Sequence, residues 1–276
     1  MNPNANHSTS LGSLVKGLRS HWDLIMQMTS REIIGRYKGS FIGILWPFLY
    51  PIMMLFVYTF VFSVVFQARW VDSVPESKTQ FAFIMFVGML IHGLFAEVVN
   101  KAPGIVLSNI NYVKKVVFPL EMLSVINLFE GLFHSLIGFI VLIVALSIFN
   151  NSLSWTIIFF PLILLPYLLF ILGIAWIIAS LGVFIRDIGQ VVSVLTTVLL
   201  FLSPVFYSKS ALPKNFQEWM DLNPLTFVIE QSRNVLIWGK MPDWGLLCAY
   251  TLGAIVVMWL GYIWFQKTRK GFADVL

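Results

Sequence analysis

Apolar residues gather into six long blocks, near residues 41–66, 81–99, 121–149, 153–181, 188–206 and 245–266. A hydrocarbon core of about 30 Å is crossed by about 20 residues of helix, so each block is long enough to span a membrane. The pattern predicts an all-α protein, a polytopic bundle of six transmembrane helices. Only Asn150, Asn151 and Ser152 separate the third block from the fourth, which predicts a tight antiparallel hairpin. Ahead of the first block, Leu14, Leu18, Trp22, Ile25, Met26 and Met28 or Thr29 recur at roughly helical spacing within residues 11–38. Lys16, Arg19 and Asp23 lie off that stripe. This predicts an amphipathic helix in the membrane interface. The chain then divides into a segment 1–40 outside the bilayer and a transmembrane domain 41–276.

The interval between the last two blocks breaks the pattern. Residues 203–244 are too apolar for an ordinary loop, yet Pro204, Pro213, Pro224 and Pro242 interrupt them, with scattered charges. Non-helical backbone at membrane depth survives only where protein shields it or where it lines a water-filled cavity. The reading is a re-entrant region near 207–237 that dips into the bilayer beside a polar pathway.

Charge sets the orientation. The chain is 58% hydrophobic and only 11% charged, against about 25% charged in soluble domains. Its net charge of +5 is therefore a topology signal and no argument for nucleic acid. Lys and Arg favour the segments joined to an inside N-terminus two to one, which predicts both termini in the cytoplasm. The first forty residues lack the apolar core of a signal peptide. Cys248 is the sole cysteine, so there is neither an internal disulfide nor a CxxC metal site.

Candidate chemistry lies within the blocks. Glu97, Glu130 and His134 fall inside or at the ends of predicted spans, where an ionisable group is costly and usually functional. Glu130 and His134, four residues apart, share a helical face and are candidates to pair. A proton relay and a structural pair both fit, and Glu97 sits near the inner end of its span. On the first span Trp46, Tyr50 and Phe60 share one face, with Phe41, Phe48, Tyr58, Phe62 and Phe66 on a broad opposite one. Aromatic faces carry sugar rings through their CH groups, and they equally serve lipid contact. The first aromatic face is the candidate pathway lining.

No GxxxxGK[ST] phosphate loop, HExxH, GxSxG or CxxC occurs, and the two halves show no inverted repeat of broken helices. No cofactor is expected on this chain, and energy for active transport must come from another. Two other classes would use the same residues. A membrane-embedded transferase would draw on His92, Glu97, Glu130 or His134, but no motif joins them. A proton-driven carrier would run through Glu130 and His134.

Four segments carry a family resemblance: RYKGSFIGILWPFLYPIMML, NYVKKVVFPLEMLSVINLFEGLFHSLIGF, LGVFIRDIGQVVSVLTTVLLFLSPVFY and NPLTFVIEQSRNVLIWGKMPDW. Together, and across about Leu18 to Lys270, the chain resembles the membrane (permease) subunit of type-2 ABC exporters of cell-surface polysaccharide, the Wzm-like branch for O-antigen, capsule and teichoic acid. Exporters of drugs, heme or lipid share that fold and motor. The resemblance implies a homodimer around a shared channel in the bacterial inner membrane. Each copy would dock one cytoplasmic ABC ATPase subunit, which would hold ATP and Mg. The substrate it implies is an undecaprenyl-diphosphate-linked glycan. Docking or coupling falls by resemblance to Arg31, Glu32, Arg36, Tyr37 and Lys38, to Lys114 and Lys115, and to Arg186 and Asp187, with Arg36 and Lys38 also placed to meet the diphosphate. The re-entrant region becomes an outer gate carrying Pro204, Tyr207, Pro213 and Pro224.

Overall fold

The computed structural model describes residues 9–66, 70, 78–114, 118–150 and 153–276, and every regular element among them is helical. Two helices precede the bundle, α1 (Leu11–Ser20) and α2 (Trp22–Tyr37). Then come α3 (Trp46–Tyr58), α4 (Lys78–Lys101), the short α5 (Ile110–Lys114), α6 (Met122–Asn150) and α7 (Phe160–Phe184). The chain continues through α8 (Ile188–Leu202), α9 (Lys214–Leu222), α10 (Pro224–Leu236), α11 (Trp244–Thr268) and α12 (Phe272–Val275).

Five helical stretches are long and apolar enough to cross a membrane: Gly43–Phe62, Gln80–Gly104, Met122–Phe149, Trp155–Phe184 and Trp244–Val275. They make the chain a multi-pass membrane protein. The fifth block falls short of its expected length, because α8 has only 15 residues, about 22 Å at 1.5 Å per residue. Pro204 is the cause. A residue before proline is pushed out of the α region, and Ser203 adopts φ −101°, ψ 154°. The expected single N-terminal helix is likewise two, because His21 at φ −109°, ψ 17° breaks it. Leu14, Ile25, Met28 and Thr29 of the predicted stripe are buried, whereas Trp22 and Met26 are exposed. Of the expected hairpin turn, Asn150 ends α6, and Asn151 and Ser152 lie outside the described residues.

Helix α7 forms the centre. Tyr167, Ile171, Ala175, Trp176 and Ala179 are fully buried there, and small residues let its neighbours approach. A Cβ on Gly173 would sit 2.6 Å from the Val257 carbonyl oxygen of α11, and one on Gly261 would meet the Gly173 carbonyl. Small-residue contacts of this kind drive helix association where lipid removes the hydrophobic incentive. Gly182 of α7 touches Pro103 in the same way, which holds the 3₁₀ turn Ala102–Gly104 after α4 against the end of α7. The α3 stretch is peripheral. Only 11% of its apolar window is buried, against 72% for α4. Phe48, Ile52, Met53 and Phe56 project outward, as lipid contact requires.

Candidate functional site: a cavity over an ionic floor

A cavity of about 1280 Å³ opens between α2, α3, α4 and α6. Its α3 wall is the stripe Trp46, Pro47, Tyr50, Pro51, Met54 and Tyr58, the face traced by steps of four residues along a helix. Pro51 lies inside α3 and has no N–H to offer the carbonyl of Pro47. The indole N–H of Trp46 donates to Ser40 Oγ at 2.9 Å and fixes the ring at the cavity edge. Phe86, Met89 and Leu90 of α4 face it.

The floor is ionic. Glu97 and Lys101 stand one turn apart on α4, and Glu130 and His134 one turn apart on α6. Arg36, in the last turn of α2, reaches between them. Its guanidinium pairs closely with Glu97 Oε1 and lies 3.7 Å from Glu130 Oε1. Lys101 Nζ approaches Glu130 Oε2 at 2.5 Å and Glu32 at 3.7 Å. The side chain of Glu130 is only 5% exposed, and its two cations make that burial tolerable. His134 bridges the rest, with Nδ1 2.7 Å from Glu97 Oε1 and Nε2 3.0 Å from the Tyr37 hydroxyl. Burial works against the Arg36 charge, but the Glu97 carboxylate outweighs it and holds the pKa above the ordinary arginine value. The Tyr112 hydroxyl likewise raises the pKa of Arg31, ahead of its neighbour Glu32.

Several expected groupings change here. Glu130 and His134 share a face, as their spacing requires, but each is partnered by other residues. Helical neighbours four apart compete poorly with ions brought in from other helices. Trp46 and Tyr50 line the cavity and Phe60 does not. The stripe reaches Tyr58 instead, which the sequence pattern had placed on the opposite face. Phe60 comes two residues after Tyr58, about 200° around the helix, where the chain also passes into a π-helical stretch, Thr59–Val65. Arg36 and Tyr37 belong to the cavity floor. Arg31 and Glu32 pair at its rim at 3.6 Å, and Lys38 is exposed with no ion pair among the described residues. Arg186 and Asp187 are exposed in the turn between α7 and α8, at the bundle end that carries the Ala102–Gly104 turn. Lys114 closes α5, and Lys115 lies outside the described residues.

At the opposite end, the four residues expected at a gate fall at breaks between helices. Pro204 is buried just past α8, and Tyr207 donates to the Phe201 carbonyl at 2.7 Å. Pro213 precedes α9, and Pro224 begins α10 behind the Asn223 cap. Asn223 also donates to Ser203 Oγ at 2.9 Å, tying the start of α10 to the end of α8. Arg233 of α10 is one of the charges scattered through the broken segment. It is fully buried, and donates to the carbonyls of Ile84, Pro204 and Val205 at 2.9, 2.5 and 3.1 Å. Its guanidinium also lies 4.3 Å from the Trp70 ring centroid.

The sequence profile of ABC-2 type transporters matches residues 23–237, a stretch that holds the cavity, its ionic floor and the broken segment. The chain belongs to the ABC-2 type transporter family. It is therefore a membrane-embedded transport component. The chain is 28% identical over 263 residues to an O-antigen export system permease protein RfbA of Myxococcus xanthus, covering 95% of this chain and 98% of that one. It is 27% identical over 262 residues to a protein of the same name from Klebsiella pneumoniae, covering 92% and 95%. At the cavity wall His92 Nε2 lies 3.0 Å from the Thr196 carbonyl oxygen, and away from the cavity Arg269 joins Glu121 at 2.8 Å.

Proposed function

We propose that this protein is the permease subunit of an ATP-driven exporter of a lipid-linked polysaccharide of the O-antigen kind. The observation that carries the reading is the match, along nearly the full length of both chains, to permeases named for O-antigen export. The cavity supports it chemically. Trp46 and Tyr50 offer ring faces for sugar CH groups, and the carboxylates below them accept hydroxyl hydrogen bonds.

In this reading two copies enclose the channel, each contributing its open-sided cavity, and each docks a cytoplasmic ABC ATPase that holds ATP and Mg. The exposed α7–α8 turn with Arg186 and Asp187, the 102–114 segment and the N-terminal helices are the surfaces for that docking. Helix α8 is the sixth span, completed by the broken segment. Residues 203–237 then re-enter from the outer side as a gate, with both termini in the cytoplasm of a cell with an inner membrane. Lys38, exposed after the end of α2 with no ion pair among the described residues, is placed to meet the lipid diphosphate at headgroup depth.

The test is deletion of the gene in its host, with surface polysaccharide read on gels. Loss of the polymer, restored by the chain only together with an active ATPase subunit, is the expected result. Unchanged surface polymer would refute the reading.

A further inference from the structure

The ionic floor contains equal numbers of opposite charges, and each cation is already held by a carboxylate. Among the described lining residues the charged groups are Arg31, Arg36 and Lys101 against Glu32, Glu97 and Glu130. Arg36 lies between Glu97 and Glu130, Lys101 between Glu130 and Glu32, and Arg31 beside Glu32. The two lining histidines are also engaged, His134 by Glu97 and Tyr37, and His92 by the Thr196 carbonyl. Among the described lining residues an anion therefore meets no cation that lacks a carboxylate partner. A hydroxyl meets carboxylate acceptors, and both close partners of Glu97 among the described residues sit on Oε1.

We propose that the cavity is selective for glycans of uncharged sugars and discriminates against acidic ones, such as those carrying uronic acids. The inference rests on glycan passage through this cavity and adds its charge class. A second copy of the chain does not alter the argument, since it brings the same neutral set. Trp46 and Tyr50 supply stacking faces indifferent to charge, so the discrimination falls to the floor. Glu97 and Glu130 repel a sugar carboxylate directly, and they also cancel the cations that would otherwise attract it.

The test uses the full chain in lipid nanodiscs with two fluorescent probes of equal length, labelled maltohexaose and labelled hexagalacturonic acid. Maltohexaose is expected to bind about tenfold tighter or better, the scale of unfavourable like-charge contact. Glu97→Gln and Glu130→Gln free Arg36 and Lys101 in part, so each should weaken maltohexaose, tighten hexagalacturonic acid and narrow the ratio. Equal or tighter binding of the acidic probe by the unaltered chain would overturn the proposal. So would a ratio unmoved in both variants, or no binding of either probe. The gene-deletion strain separates the two claims. If the chain restores surface polymer yet binds both probes alike, the charge preference is wrong and the export reading stands. If it restores none, the export reading falls and the preference with it.

Discussion

The Nε–H of Arg233 donates to the carbonyl oxygen of Ile84 at 2.9 Å, joining α10 to α4 across 149 residues of sequence. The same guanidinium takes up the Pro204 and Val205 carbonyls at the break after α8. One side chain therefore organises the junction of α4, α8 and α10. Replacing Arg233 with methionine leaves these carbonyls without their donor, at about 1–3 kcal/mol each where no water enters. Thermal unfolding in detergent should shift down by several degrees. Lysine, with a single ammonium for three acceptors, should recover only part of the loss. An unchanged melting temperature in the methionine variant would show that the clamp is dispensable.

Gly88 makes room for that clamp. A Cβ there would lie 2.8 Å from Arg233 Nη2 and 3.2 Å from the Val205 Cα. Gly88→Val should push the 203–205 segment away from α4 and lower both folded yield and export. Gly93, on the same helix with nothing within 4 Å of its Cβ position, provides the control. Gly93→Ala should be neutral or gain up to about 1 kcal/mol from helix propensity. Equal effects at the two positions would contradict the packing account.

The α7–α11 crossing depends on Gly173 and Gly261. Leucine at either should separate the helices and cost more than the roughly 1–3 kcal/mol typical of overpacking, since the obstructing atoms are backbone. Size-exclusion profiles of the purified variants check this, and a monodisperse, wild-type-like peak for both would count against it.

Which parts of this were legible in the sequence follows from what is local. The apolar blocks reveal spans because crossing a membrane is a matter of length along one segment. Trp46 and Tyr50 were legible as a pathway face because they lie one helical turn apart. Phe60 misled because a face followed over many turns drifts. The floor was only half legible. Glu97, Glu130 and His134 stood out as costly charges, but their partners are 29 to 98 residues away, and spacing rules do not reach that far. Arg233 was missed for the same reason, since its three acceptors are backbone carbonyls and leave no mark in the side-chain pattern.

Trp46→Ala and Tyr50→Ala should each cut glycan export severalfold while folded yield stays near normal, because both rings are partly exposed at the cavity wall. Phe60→Ala, away from the cavity, should leave export close to normal. Surface polymer quantified per unit of membrane-inserted protein makes the comparison. A loss for Phe60 as deep as that for Trp46 would contradict the assigned face.

Arg186 and Asp187 are exposed and carry no packing load, so Arg186→Ala and Asp187→Ala should keep stability within about 0.5 kcal/mol. If the α7–α8 turn receives the ATPase, each should reduce the coupling of ATP hydrolysis to export. ATPase activity and export measured together on the reconstituted complex decide it. Unchanged coupling in both variants would remove this turn from the docking surface.

The central claim is that glycan passes along the cavity wall during ATP-driven export. Its most direct test is photo-crosslinking from p-benzoylphenylalanine in place of Tyr50, in cells making surface polysaccharide. The same group in place of Val256, exposed on α11, serves as the lipid-facing control. The account predicts a glycan adduct at position 50 that requires an active ATPase subunit, and none at position 256. Active export with no glycan adduct at position 50 would contradict it.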